Sequence, residues 1–163
     1  MTDLFTHCID DVRMFMGQDN PIAASAAGGV YNYKDGRTAP DTINVLLEYP
    51  KEWVATFEAT LAPGIRGAAV EMCGTDGKLY ITRQGYKFTS AERGAVPVKV
   101  PYTKDQTIDH VRNFLDCRRS RKLPNADVQI GHRSAAASHL GNIAYVQERR
   151  LNYNPDREEI LPL

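Results

Sequence analysis

The sequence predicts an α+β protein with an open, mostly antiparallel β-sheet and helices packed on one face. Short strand candidates of alternating polarity fill the middle of the chain, with turn signals at Asp35-Gly36 and Thr75-Asp76-Gly77. Helical periodicity precedes and follows them, so helices and strands are segregated along the chain. The length of 163 residues and the hydrophobic content of 42% suit one domain with a substantial core.

The first element is a helix over residues 2–16, which Gly17 is well placed to end. One apolar stripe at helical spacing predicts its buried face. The stripe consists of Phe5, Cys8, Ile9, Val12, Phe15 and Met16.

The elements after this helix follow from alternation, turns and helix signals. The predicted strands cover residues 22–33 (weakened at the glycine pair), 42–49, 53–61, 68–73, 78–83, 86–89 and 96–100. A second helix is capped by Thr107 and ended by Pro124, and an Ala-rich third helix covers residues 126–149. Asn154-Pro155 closes the helical region, and a polar tail follows. In this order helices cover one sheet face, so the other face requires a cover, and we expect a homo-oligomer.

Charge and composition exclude several classes of protein. Twenty basic and twenty acidic residues give zero net charge, which argues against a nucleic-acid-binding domain. No run of apolar residues is long enough to span a membrane, and no signal peptide is visible. The three cysteines, Cys8, Cys73 and Cys117, fit neither a disulfide framework nor a metal knuckle, and indicate a cytoplasmic protein.

The polar face of the first helix carries the strongest candidate for chemistry. Asp3, His7 and Asp10 occupy positions i, i+4 and i+7, which share one stripe of a helix. An imidazole exchanges protons near neutral pH, and a neighbouring carboxylate stabilises its charged form. The spacing is compatible with a general acid/base unit, and equally with a solvated polar surface.

Two further sites are conceivable from the residues alone. Gly131-His132-Arg133-Ser134, near the start of the third helix, could bind an anion or could be ordinary helix surface. Asp3 and His7 could be two metal ligands, but the other histidines and the thiols are scattered, so we predict no metal site.

Several segments of the chain, in the right order, resemble the C-terminal domain of the Gfo/Idh/MocA family (glucose–fructose oxidoreductase, inositol dehydrogenase and rhizopine catabolism). The segment Asp3–Asp10 is similar to the family's D-x-x-x-H-x-x-D helix. The other similar segments are Gly28–Tyr31, Pro40–Thr42, Glu48–Pro50, Gly74–Gly77, His110–Cys117, Gly131–Ala135 and His139–Ala144.

The resemblance implies a two-domain enzyme, of which residues 1–163 would be the C-terminal substrate-binding and oligomerisation domain. Family members hold NAD or NADP on an N-terminal Rossmann domain, which this sequence lacks. We therefore expect a piece of a longer protein, with no cofactor bound to this chain alone. The resemblance also implies oligomerisation through the open sheet face.

The resemblance assigns roles to individual residues. His7 matches the acid/base histidine, and Asp3 matches the carboxylate that contacts the substrate and orients that histidine. Asp10 matches the third position of the motif and is expected to support these two residues. The resemblance assigns no firm role to His132 and Arg133, which we take as candidates for contacting the substrate or supporting residues that do. The implied function is that of an NAD(P)-dependent oxidoreductase acting on a sugar, polyol or related hydroxy compound. The alternatives are a domain of an NAD-dependent glycoside hydrolase of the same family, and a non-catalytic oligomerisation or sugar-binding module.

Overall fold

The computed structural model describes residues 2–17, 20–63 and 67–162. It confirms the α+β class, since every described strand pair is antiparallel and three helices accompany the strands. The elements in chain order are α1 (Leu4–Met16), β1 (Ala23–Gly29), β2 (Thr42–Tyr49), β3 (Trp53–Thr60), β4 (Val70–Gly74), β5 (Gly77–Thr82), β6 (Gly85–Ser90), β7 (Val98–Pro101), α2 (Gln106–Ser120), α3 (Val128–Gln147), β8 (Leu151–Asn154) and β9 (Glu159–Ile160).

The chain divides into two compact units, and the strands form one sheet in each. The first unit comprises Met1–Arg66 and Gly131–Leu163, and the second comprises Gly67–Ile130. The first unit holds a five-stranded sheet in the order β3-β2-β1-β8-β9. The second holds a four-stranded sheet in the order β4-β5-β6-β7.

The core of the first unit lies on one face of the five-stranded sheet. Alternate residues of β2 point into it, because successive side chains of a strand face opposite sides. Helices α1 and α3 pack on the same face, so the sheet positions α1 directly. The buried cluster consists of Phe5, Ile9, Ala24, Ile43, Val45, Leu47, Tyr49, Ala137, Leu140, Ala144, Leu151 and Tyr153.

The second unit is a meander followed by α2, which begins earlier than the sequence indicates. Asp105, rather than Thr107, caps α2, and its carboxylate accepts a hydrogen bond of 2.8 Å from the backbone N–H of Thr107. None of the α2 residues is buried. Val70 of β4 is 8% exposed and therefore buried.

Two other expectations require correction. The end of the predicted helical region, just before Pro155, forms β8, which pairs with β1. The predicted polar tail contains β9, which pairs with β8. Phe15 and Met16 of the predicted apolar stripe are exposed, whereas Arg13 is 2% exposed. The guanidinium of Arg13 donates a hydrogen bond of 3.2 Å to Asn20. No helix among the described residues is both long and apolar enough to cross a bilayer.

Candidate active site

Burial of one face of α1 determines which side chains its other face presents. Phe5 and Ile9 are 3% and 0% exposed, and the ring of Phe5 lies 4.3 Å from that of Phe57 in β3. Gly17 ends the helix with a positive φ of 97°, and its N–H donates to the carbonyl oxygen of Arg13. The helix is therefore held against the sheet through Phe5 and Ile9, and its polar face is directed outward.

Asp3 and His7 lie on this outward face, as predicted. Both residues are exposed. Asp3 occupies the N-cap position, but its side chain makes no capping hydrogen bond, so its carboxylate is not used by the helix backbone. Within residues 2–17, 20–63 and 67–162, no hydrogen bond to the His7 imidazole is found. An imidazole and a carboxylate one helical turn apart thus face outward together.

Asp10 does not share this exposed face. Its carboxylate accepts a hydrogen bond of 2.6 Å from the hydroxyl of Ser134 on α3, and Ser134 is 1% exposed. The Gly131–Ser134 segment therefore contributes a contact to the candidate helix through its serine. The sequence did not indicate this role for Ser134, although Ser134 and Ser138, at a four-residue spacing on an Ala-rich helix, are typical of a close helix contact.

Asp11 is a carboxylate beside His7 that the sequence interpretation missed. It follows His7 by four residues, the same spacing that singled out Asp3 on the other side, so the signal was present. Partial burial raises the pKa of Asp11, the neighbouring Asp10 carboxylate raises it further, and His7 lowers it. Asp11 and His7 therefore interact electrostatically.

His132 and Arg133 both lie on α3, and His132 contacts Glu158. The Nε2 atom of His132 lies 2.9 and 3.1 Å from the two carboxylate oxygens of Glu158. Residues two apart on a helix are separated by ~200° around its axis, so His132 projects away from the side on which Ser134 meets α1. Arg133 is half-buried. The structure thus directs His132 toward Glu158 rather than toward the face that carries His7.

The sequence contains no known dinucleotide-binding loop, and the described residues contain no metal-binding cluster. No G-x-G-x-x-G or other glycine-rich phosphate loop occurs in the sequence, and such a loop is how a Rossmann domain holds the pyrophosphate. In the described part of the chain, no group of three or more His, Cys, Asp or Glu side chains could hold a metal ion.

Residues 1–80 match the family model of the GFO/IDH/MocA C-terminal domain. Among solved structures, aldose-aldose oxidoreductase from Caulobacter crescentus, complexed with glycerol, is 18% identical with a TM-score of 0.72, over 91% of this chain and 45% of that chain. UDP-N-acetylglucosamine 3-dehydrogenase from Acidithiobacillus ferrooxidans is 16% identical with a TM-score of 0.72, over 86% of this chain and 45% of that chain. Levoglucosan dehydrogenase in complex with NADH is 16% identical with a TM-score of 0.71, over 92% of this chain and 49% of that chain.

These structures share the fold of this chain, and the chain spans about half of their length. No curated protein matches the sequence. The match over residues 1–80 and the fold shared over most of the chain together confirm its resemblance to the C-terminal domain of the Gfo/Idh/MocA oxidoreductases.

Proposed function

We propose that this chain is the substrate-binding and catalytic-helix domain of an NAD(P)-dependent oxidoreductase acting on a sugar, polyol or related hydroxy compound. The observation that carries the proposal is the outward face of α1, where His7 is exposed beside Asp3 and Asp11 on a helix anchored by buried Phe5 and Ile9. The sugar dehydrogenases that share its fold support this substrate class.

The chemistry assigned to this chain is a proton transfer. Oxidation of a secondary alcohol to a ketone removes a proton from the hydroxyl oxygen and a hydride from the carbon that bears this hydroxyl. His7 accepts the proton as general base, and a carboxylate beside it stabilises the imidazolium that forms. The Asp3 carboxylate makes no capping hydrogen bond to the helix backbone. We therefore assign two roles to Asp3, which are to stabilise the imidazolium and to contact a substrate hydroxyl. The hydride acceptor would be held outside this chain, because the chain has no loop that fits the dinucleotide.

The decisive experiment joins this chain to a dinucleotide-binding domain and follows reduction of NAD or NADP by a panel of aldoses and polyols. His7→Ala is expected to lower turnover by ~10²–10⁴-fold, the usual effect of losing a general acid or base. His110→Ala is the matched control, since His110 is exposed on α2 and is expected to be dispensable. Full activity of His7→Ala would contradict the assignment.

The chain alone is expected not to bind NAD or NADP. Calorimetric titration with the oxidised and reduced forms of both cofactors measures this directly. Binding with ~micromolar affinity, which corresponds to about 8 kcal/mol, would show that this chain holds the cofactor without a Rossmann loop and would overturn this part of the proposal.

We also propose that the chain associates with a second copy through the outer face of the five-stranded sheet. Leu46 of β2 and Val54 of β3 are 36% and 60% exposed on that face, opposite the residues that enter the core. Exposed apolar side chains on an open sheet favour association. Light scattering at micromolar concentration is expected to give a dimer or larger species, and Val54→Lys is expected to weaken it. A wild-type monomer would contradict this proposal.

A further inference from the structure

We propose that Ser134 is a positioning residue for His7, because its hydroxyl holds the Asp10 carboxylate against α3 and keeps that charge away from the imidazole. The functional meaning of this inference rests on the proposed acid/base role of His7. The contact itself does not rest on that role, and it can be tested without any enzymatic activity.

Asp10 follows His7 by three residues on α1. Residues three apart on a helix are neighbours, so an Asp10 carboxylate without another partner lies within reach of the His7 imidazole. In the structure the carboxylate is bound elsewhere, through the hydrogen bond of 2.6 Å from the Ser134 hydroxyl. A hydroxyl bonded to a carboxylate at this distance forms a strong, charge-assisted hydrogen bond. Ser134 is 1% exposed, so water does not readily replace it.

A second contact between α1 and α3 fixes the same register one helical turn away. The hydroxyls of Thr6 on α1 and Ser138 on α3 lie 3.1 Å apart. Thr6 precedes Asp10 by four residues and Ser138 follows Ser134 by four, so the two helices are antiparallel here and are joined at two successive turns. This double contact opposes rotation of α1 about its axis.

Other charged residues remain near His7 when Ser134 binds Asp10. On α1 they are Asp3 and Asp11, and Asp11 interacts with His7 electrostatically. The helix packed against this side, α3, contributes two uncharged serine hydroxyls to the contact. The nearest ionisable residues of α3 in sequence, Arg133 and His139, have no hydrogen bond or ion pair with α1 in the described ranges.

The binding of Asp10 by Ser134 affects how His7 can act as a base. A base that must take a proton from a hydroxyl needs a free ring nitrogen and a protonation equilibrium balanced near the working pH. A third carboxylate bonded to the imidazole would occupy one nitrogen and favour the charged ring. By binding Asp10, Ser134 leaves Asp3 and Asp11 as the carboxylates that act on His7.

The test measures, by NMR of the full 163-residue chain, the pH at which the His7 imidazole is half protonated. Ser134→Ala releases Asp10, which then pairs with His7, so this pH is expected to rise by ~0.2–0.4 unit, the size of an i,i+3 pair. Ser134→Cys, nearly the same size but a weak donor, is expected to do the same and serves if the alanine variant does not fold.

Two further variants separate positioning from stability. Ser138→Ala removes an equally buried hydroxyl of α3 that does not touch Asp10, and the His7 titration is expected to stay at its wild-type pH. Combining Asp10→Asn with Ser134→Ala removes the released charge and is expected to abolish the rise. An unchanged His7 titration in both Ser134 variants would overturn the inference. A shifted titration together with fully active His7→Ala would uphold this contact and refute the proposed function instead.

Discussion

Truncation of Ile9 tests whether α1 is held by its buried face, as the position of His7 requires. Ile9 is 0% exposed and belongs to the core cluster with Phe5, Leu47 and Leu140. Ile9→Ala removes three buried carbon atoms, which at ~0.8 kcal/mol each amounts to about 2.4 kcal/mol of lost transfer free energy. The cavity left behind increases the loss, so we expect the free energy of unfolding to fall by ~2.5–4 kcal/mol.

The single tryptophan makes this measurement specific to the first unit. Trp53 lies in β3, and its ring stacks on that of Tyr49 with centroids 3.8 Å apart, so its fluorescence reports the packing of this sheet. Urea titrations of wild type and Ile9→Ala give the difference in unfolding free energy. Met14→Ala is the matched control on the same helix, because Met14 is 65% exposed and its loss should change stability by no more than ~0.5 kcal/mol. Equal stability of the two variants would refute the packing of α1 against the sheet through Ile9.

Three further substitutions test the framework that supports the site. The buried Asp41 carboxylate accepts hydrogen bonds from the backbone N–H groups of Tyr31, Asn32 and Tyr33, which lower its pKa from 3.8 to about 2. This stabilisation is present above the unfolded pKa and is lost as pH falls toward the folded value, so Asp41→Asn should lower the urea midpoint at neutral pH and flatten its decline in acid. Gly28→Ala should destabilise the first unit by ~1–3 kcal/mol, because a Cβ there would lie 2.9 Å from the Ile43 Cα and overlap the Thr42 carbonyl oxygen. Gly131→Ala should instead stabilise α3 by ~0.5–1 kcal/mol, since nothing lies within 4 Å of the added Cβ. If thermal unfolding showed that Gly28→Ala stabilises the protein or that Gly131→Ala destabilises it, the described surroundings of that glycine would be wrong.

Local alternation predicted the strands that carry a one-sided hydrophobic pattern. The limits of β2 coincide with the prediction, because Ile43, Val45, Leu47 and Tyr49 alternate with polar or exposed positions over the whole strand. Pairing between strands was not predictable in the same way. Consecutive strands β3 and β4 belong to different sheets, and nothing in the alternation of either strand specifies its partner.

The strand β8 lies at the end of the predicted helical region, where the sequence did not indicate a strand. Its four residues are too few for alternation to be distinctive, although Leu151 and Tyr153 are buried. Contacts distant in sequence hold it instead. It pairs with β1, and the guanidinium of Arg150 just before it donates two hydrogen bonds of 2.9 Å to the Glu48 carboxylate of β2. Such contacts exist only once the sheet has formed.

On the polar face of α1, helical periodicity predicted which residues lie together, but a contact distant in sequence decides which of them are exposed. At ~100° per residue, Asp10 lies about 20° to one side of Asp3, whereas His7 and Asp11 lie about 40° and 80° to the other. Periodicity therefore places all four residues within one sector but does not identify its solvent-exposed part. The neighbouring helix decides this, because Ser134 of α3 binds Asp10 at the edge of the sector. Since α3 lies on the Asp10 side, Asp3, His7 and Asp11 form the exposed group of this sector.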